Sequence, residues 1–209
     1  MNQKMPKNIN SVIFDLGGVL FDIDYSFTQK AFIALGAKEF NELYSQQKQA
    51  GLFDEFEKGN VSAEHFRAGM KKFLPAHISE KQVDDAWNAL LIGFPGEKVT
   101  LLNKLKQRHR LFLLSNTNDI HLPAVLEMMD KAHGKGIMTT MFEKEYYSCR
   151  MGTRKPDIEI FEKVCKENDL DPFTTLFIDD SIQNIEGAKK FGLQTLHYNS
   201  SISLEEYFQ

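Results

Sequence analysis

Short apolar runs that stop abruptly at polar residues recur along this chain. Ser11–Phe14 is β-branched and aromatic and ends at Asp15, with Gly17 and Gly18 close behind. Arg110–Leu114 ends in Ser115, Asn116, Thr117 and Asn118. Thr174–Ile178 ends at Asp179 and Asp180, and Leu193–Tyr198 is a fourth run. Runs this short, bounded by turn-forming residues, predict buried strands. Helical periodicity separates the later ones. Glu97–Gln107 lines up Val99, Leu102 and Leu105; Asp157–Asn168 lines up Ile158, Phe161, Val164 and Cys165; Ser181–Phe191 carries Ile182, Ile185 and Ala188 before Gly192 stops it. Strands alternating with amphipathic helices predict an α/β fold, a Rossmann-like parallel sheet with helices on both faces.

The stretch from Phe21 to Phe94 breaks this rhythm and offers helices without a convincing strand. Two are expected over Phe27–Leu35 and Phe40–Gln49. A third, Val61–Leu74, sets Phe66, Met70 and Phe73 on one side, and a fourth, Glu80–Leu91, is opened by a capping box of Ser79 and Gln82. Nine of the 17 phenylalanines fall here, enough for a small core of its own. The expected organisation is a core of residues 1–20 and 95–209 interrupted by an all-helical insert, 21–94. A length of 209 residues, more than one typical domain and less than two, fits that plan.

Composition then removes several function classes. Apolar content of 42% with a net charge of −4 argues against disorder and against a nucleic-acid partner, which calls for a basic surplus. No apolar run approaches the roughly 18 residues of a membrane helix, and the polar stretch Met1–Asn10 is unlike a signal segment, so a cytoplasmic protein is expected. Cys149 and Cys165 have no zinc-spaced companions and read as reduced thiols. The histidines, among them His121, are scattered and read as ordinary surface or core residues.

In open parallel sheets, ligands bind beyond the carboxyl ends of the strands. Here those ends carry Asp15, then Ser115-Asn116, then Asp179-Asp180. Fixed acidic oxygens on adjacent strand ends suit a small hard cation such as Mg²⁺. Arg154-Lys155-Pro156-Asp157 lies between the second and third ends. Its proline is expected to open a helix and to place the Lys155 ammonium at the helix N-terminus. A carboxylate that attacks phosphorus, a cation and a lysine that neutralise the phosphate, and a hydroxyl and amide that hold it make a phosphoryl-transfer site. Asp15, Lys155, Ser115 and Asn116 supply those groups.

These blocks, Phe14-Asp15-Leu16-Gly17-Gly18-Val19, Leu113-Leu114-Ser115-Asn116-Thr117, Arg154-Lys155-Pro156-Asp157 and Phe177-Ile178-Asp179-Asp180 with Asn184, resemble in kind and order the haloacid dehalogenase superfamily of phosphatases. Within it the chain is similar to sugar-phosphate phosphatases acting on glucose 1-phosphate and to the phosphatase domain of soluble epoxide hydrolase. The resemblance implies Asp15 as nucleophile and Mg²⁺ ligand. It implies the Gly17 carbonyl and Asp180 as further ligands, with Asp179 nearby and Asn184 in support. Ser115 and the Asn116 backbone would bind phosphate, Lys155 would neutralise it, and the helical insert would be a mobile cap. The substrate implied is a small phosphorylated metabolite. One departure stands out: that family usually places an acid/base Asp two positions after the nucleophile, where this chain has Gly17. Asp22 and Asp24, just downstream, are candidates to compensate, and with Tyr25 they leave the first block directly towards the site. A 2-haloacid dehalogenase and a phospho-ligand binding protein with little turnover are the alternative readings.

Overall fold

A computed structural model describes residue 6, residues 8–37, residue 40 and residues 51–208. A five-stranded parallel sheet forms the centre: β1 (Ser11–Phe14), β4 (Arg110–Ser115), β5 (Lys144–Tyr147), β6 (Thr175–Asp179) and β7 (Gln194–His197), in the spatial order β5-β4-β1-β6-β7. The chain starts in the middle, winds outward through β4 to β5, then crosses to β6 and β7 on the other side. Such a reversal opens a crevice beyond the carboxyl end of the central strand. Side chains alternate across a strand, and the sheet's apolar residues divide accordingly. Val12, Phe14, Leu111, Leu113, Leu176 and Ile178 face one cluster. Ile13, Phe112, Leu114 and Phe177 face another. The first is covered by α5 (Gly96–Leu105), α6 (His121–His133) and α7 (Ile137–Met141), the second by α9 (Ile158–Glu167) and α10 (Ile182–Phe191); the short α8 (Ser148–Met151) follows β5 directly. Burial on both faces explains why these strands read as continuous apolar runs.

The segment expected to be wholly helical carries two short strands at its ends. β2 (Asp22–Ile23) and β3 (Leu91–Gly93) pair antiparallel. Two- and three-residue strands are made by their pairing, with too few positions to show an alternating pattern. The helix expected to run to Leu91 therefore ends earlier: α4 is Glu80–Asn88, opened by the Ser79/Gln82 capping box. Before it come α1 (Tyr25–Ala34), α2 (Leu52–Glu57) and α3 (Ala63–Lys71). The expected helix Phe40–Gln49 lies, but for Phe40, outside the described residues. These helices share a separate hydrophobic cluster that includes Phe32, Phe53, Phe56, Phe66, Met70, Val83 and Trp87. Phe66 is its hub, with ring centroids 4.4 Å from Phe56, 4.7 Å from Trp87 and 6.2 Å from Phe53. Among the described residues no helix is long and apolar enough to cross a membrane.

Candidate active site

β1 and its two neighbours run in register, so that Phe14 lies opposite both Leu113 and Ile178. That alignment brings Asp15, Ser115 and Asp179 out at one end of the sheet. Asp15 is fixed by its own backbone, which donates to the Ile178 carbonyl at 2.9 Å. Lys155 enters between the carboxylates from the loop before α9. It is fully buried, and its Nζ lies 2.7 Å from Asp15 Oδ1 and 2.7 Å from Asp179 Oδ2. This corrects the expectation from Pro156. α9 begins at Ile158, and the Lys155 ammonium is held by two carboxylates instead of the helix N-terminus. Ion pairs of this kind are much stronger than the partial charge of a helix end.

Asn116, expected as a phosphate-binding amide, takes a structural part through its side chain. Its side chain brackets the Lys155 backbone, accepting from the Lys155 N–H at 2.9 Å and donating to the Lys155 carbonyl at 2.9 Å. The next residue is pinned as well: Ser148 Oγ accepts from the Thr117 N–H at 3.0 Å and donates to the Thr117 carbonyl at 3.1 Å. The loop after β4 is thereby tied both to the lysine and to the end of β5. Ser115 is 3% exposed at its base.

Adjacent Asp179 and Asp180 have different surroundings. Asp179 is fully buried; besides Lys155 it accepts from Asn184 Nδ2 at 3.0 and 3.1 Å and from the Ser181 N–H at 2.8 Å. Asp180 is open and turns towards the first loop. A Cβ on Gly18 would lie 2.3 Å from Asp180 Oδ2, and Gly18 has φ +77°, so glycine is required there on both counts. Asp15, Asp179 and Asp180 offer oxygens all within 4.8 Å of one another. Burial pushes the Asp15 carboxyl up to about 8, against the pull of Lys155 and with Asp179 adding to the rise. Partial burial and Asp179 raise Asp180 too. Burial alone would lower the Lys155 ammonium, but the facing Asp15 and Asp179 outweigh it and hold the group above its usual range.

A cavity of about 1130 Å³ opens above these groups. Asp15, Gly17, Ser115, Asn116, Lys155, Asp180 and Asn184 line it; Asp179 lies behind Lys155 and does not. Of the downstream candidates only Tyr25 lines the cavity. Asp24 caps α1 by accepting from the Ser26 N–H at 2.8 Å, and Asp22 sits exposed on β2. The opposite wall comes largely from the helices between β2 and β3, with Phe53, Phe56 and Trp87. His121 joins it from α6, stacked 5.2 Å from Trp87 at 5° and bonded through Nδ1 to Asn88 Oδ1 at 2.7 Å. Burial lowers its pKa to about 3, so it is neutral. His121 is thus a packed, neutral core histidine that also lines the cavity, in a place set by a partner helix far away in sequence. Asp54 and Glu57 of α2 are a further addition. They grip Arg154, with Asp54 Oδ1 2.8 Å from Nη1 and Glu57 Oε2 2.8 Å from Nε. Burial raises the Glu57 carboxyl, with Arg154 opposing. The helical period of Leu52–Glu57 puts Asp54 and Glu57 on one face, but nothing in the chain shows that this face meets Arg154.

Known proteins resemble this chain over nearly its whole length. A D-ribitol-5-phosphate phosphatase of Bacteroides thetaiotaomicron is 30% identical over 187 residues, covering 90% of each chain. The crystal structure of a HAD family enzyme from the same organism, in complex with magnesium and inorganic phosphate, superposes with a TM-score of 0.88 at 34% identity. The match covers 96% of this chain and 100% of that one. A predicted HAD-like hydrolase from Porphyromonas gingivalis gives 0.85 at 30% identity, over 96% of both. The haloacid dehalogenase-like hydrolase family matches residues 9–192, nearly the whole chain, and the protein belongs to that family.

Proposed function

We propose that the protein is a Mg²⁺-dependent phosphatase that hydrolyses a small phosphorylated metabolite through a phosphorylated Asp15. The observation that carries this reading is the Lys155 ammonium seated between Asp15 and Asp179, with Asp180 beside them. Two of the relatives support it, one by its name as a phosphatase and one by its magnesium and phosphate.

The donor set fits magnesium. It is all oxygen, and the separate surroundings of the two aspartates divide the work. Asp179 is committed to Lys155, Asn184 and Ser181, which leaves Asp15, Asp180 and the Gly17 carbonyl to hold the ion. Bound there, Mg²⁺ would offset negative charge on the carboxylates and the phosphate. Among the described residues, the Lys155 and Leu16 hydrogen bonds to the Asp15 carboxylate both fall on Oδ1, at 2.7 Å each. Oδ2 is then the oxygen that attacks phosphorus, as the P–O bond to the metabolite breaks. Lys155 and the Ser115 hydroxyl hold the phosphoryl oxygens, and water cleaves the acyl phosphate to return Asp15. In this proposal residues 21–94 act as a cap that excludes water during attack.

The test is phosphate release from a panel of metabolites that includes ribitol 5-phosphate and glucose 1-phosphate, with Mg²⁺ or with EDTA. Release should require Mg²⁺ and should vanish in Asp15→Asn. Halide release from 2-haloacids that persists in EDTA, with no phosphate release, would overturn the reading.

A further inference from the structure

The cavity is larger than a phosphate needs, and its charges are arranged unevenly. Among its described lining residues the cations are Lys155 and Arg154. Lys155 sits at the reactive end, between Asp15 and Asp179. Arg154 lies on the side facing the helices between β2 and β3, where Asp54 and Glu57 both pair with it. The other described residues of the distal wall are apolar or neutral, among them Phe53, Phe56, Trp87, Thr28, Asn118 and His121. A phosphate at Asp15 thus has a lysine to meet it. A second anion further along would find a guanidinium already claimed by two carboxylates, and would face those carboxylates instead.

We propose that Asp54 and Glu57, by neutralising Arg154, restrict the cavity to phosphomonoesters whose other end carries no negative charge. This rests on the phosphate lying at Asp15. The three residues are specificity determinants, and the class rejected comprises phosphorylated carboxylic acids and bisphosphates. Like charges brought together in a desolvated site cost enough to change affinity by an order of magnitude or more.

Matched pairs differing at one carbon test this: glucitol 6-phosphate against 6-phosphogluconate, and glycerol 3-phosphate against 3-phosphoglycerate. Turnover is measured on the wild-type protein with Mg²⁺, and binding by calorimetry on an Asp15→Asn background. The neutral member of each pair should be favoured by about tenfold or more. Freeing the guanidinium in Asp54→Asn/Glu57→Gln should shrink that preference severalfold, chiefly through binding of the acid. Arg154→Gln should enlarge it. Both variants break the same ion pairs, so a purely structural clasp would change both in the same direction and leave the preference alone. Equal binding of acid and neutral partner, or a preference unmoved in both variants, overturns the proposal. Absent turnover with the binding preference retained would refute the phosphatase reading and leave this one standing.

Discussion

At the scale of single residues, the proposed phosphatase would have no acid at Gly17 to meet its leaving group. A glycine cannot protonate the departing oxygen, so wild-type kcat should fall steeply as the leaving alcohol becomes more basic. Gly17→Asp would restore an acid. The added Cβ meets Ile23 Cδ1 at 3.2 Å, the far end of a flexible side chain, so the substitution is sterically modest. Rates across a series of aryl and alkyl phosphates should then depend less on leaving-group pKa, with alkyl esters gaining up to about 10²-fold. Parallel plots for the two proteins would show that no acid is missing at this position. His121 makes a second prediction. Its folded pKa, about 3, lies below the unfolded value near 6.5, so the unfolded state takes up the proton first. The folded protein is favoured above about pH 6.5 and loses that advantage as pH falls towards 3. Between pH 6.5 and pH 5 the loss is about 1.5 kcal/mol, readable as a falling urea midpoint. His121→Gln should lack that component of the pH dependence; an unchanged slope would place the loss elsewhere.

Elements differ in how far the chain announces them. β1, β4 and β6 are buried on both faces but for Arg110, so each contains a run of consecutive apolar residues, Val12–Phe14, Leu111–Leu114 and Leu176–Ile178, that ends in chemistry. β5, Lys-Glu-Tyr-Tyr at the sheet edge, buries only its last two residues and so carries no apolar run to mark it. Asp15, Ser115, Asn116, Asp179 and Asp180 are legible because strand ends gather by topology alone, and Lys155 because its Arg-Lys-Pro-Asp block lies between the second and third of those ends. Asp54, Glu57, Trp87 and His121 are not, since their meeting depends on how separate helices dock over the sheet. The same separation of cores yields an element-scale prediction. Phe66 is fully buried and touches Phe53, Phe56 and Trp87, in a cluster distinct from both sheet faces. Phe66→Ala should cost about 3–5 kcal/mol. Hydrogen exchange should rise first in α2, α3 and α4 while β1, β4 and β6 keep their protection. A uniform loss across the molecule would mean that the clusters unfold as one.

Over the whole molecule, the site joins segments that folding alone brings together: the first loop, the end of β4, the loop before α9 and the end of β6. Helices packed on the other side close the cavity, and the seam is tight. Gly59, just after α2, has φ +75°, and a Cβ there would lie 2.1 Å from the Cys149 carbonyl oxygen beside β5. The fold therefore concentrates three carboxylates against one buried lysine, an arrangement that works against stability until a cation joins it. Mg²⁺ binding to the folded state alone should stabilise it by about 2.7 kcal/mol at a hundred times its Kd. For a chain of this size each kcal/mol raises Tm by about 2–4 °C. Asp180→Asn separates the two effects. It removes one charge from the cluster, so the variant should melt above the wild type in EDTA, yet gain little from Mg²⁺. Asp179→Asn makes the contrast, because it strips Lys155 of one of its two carboxylates and leaves a buried ammonium half-paired. It should melt below the wild type in EDTA while still responding to Mg²⁺. Thermal melts of the three proteins with and without Mg²⁺ measure both. If Asp180→Asn responded to Mg²⁺ as the wild type does, the ion would not be held by that carboxylate, and the division of labour between the adjacent aspartates would be wrong.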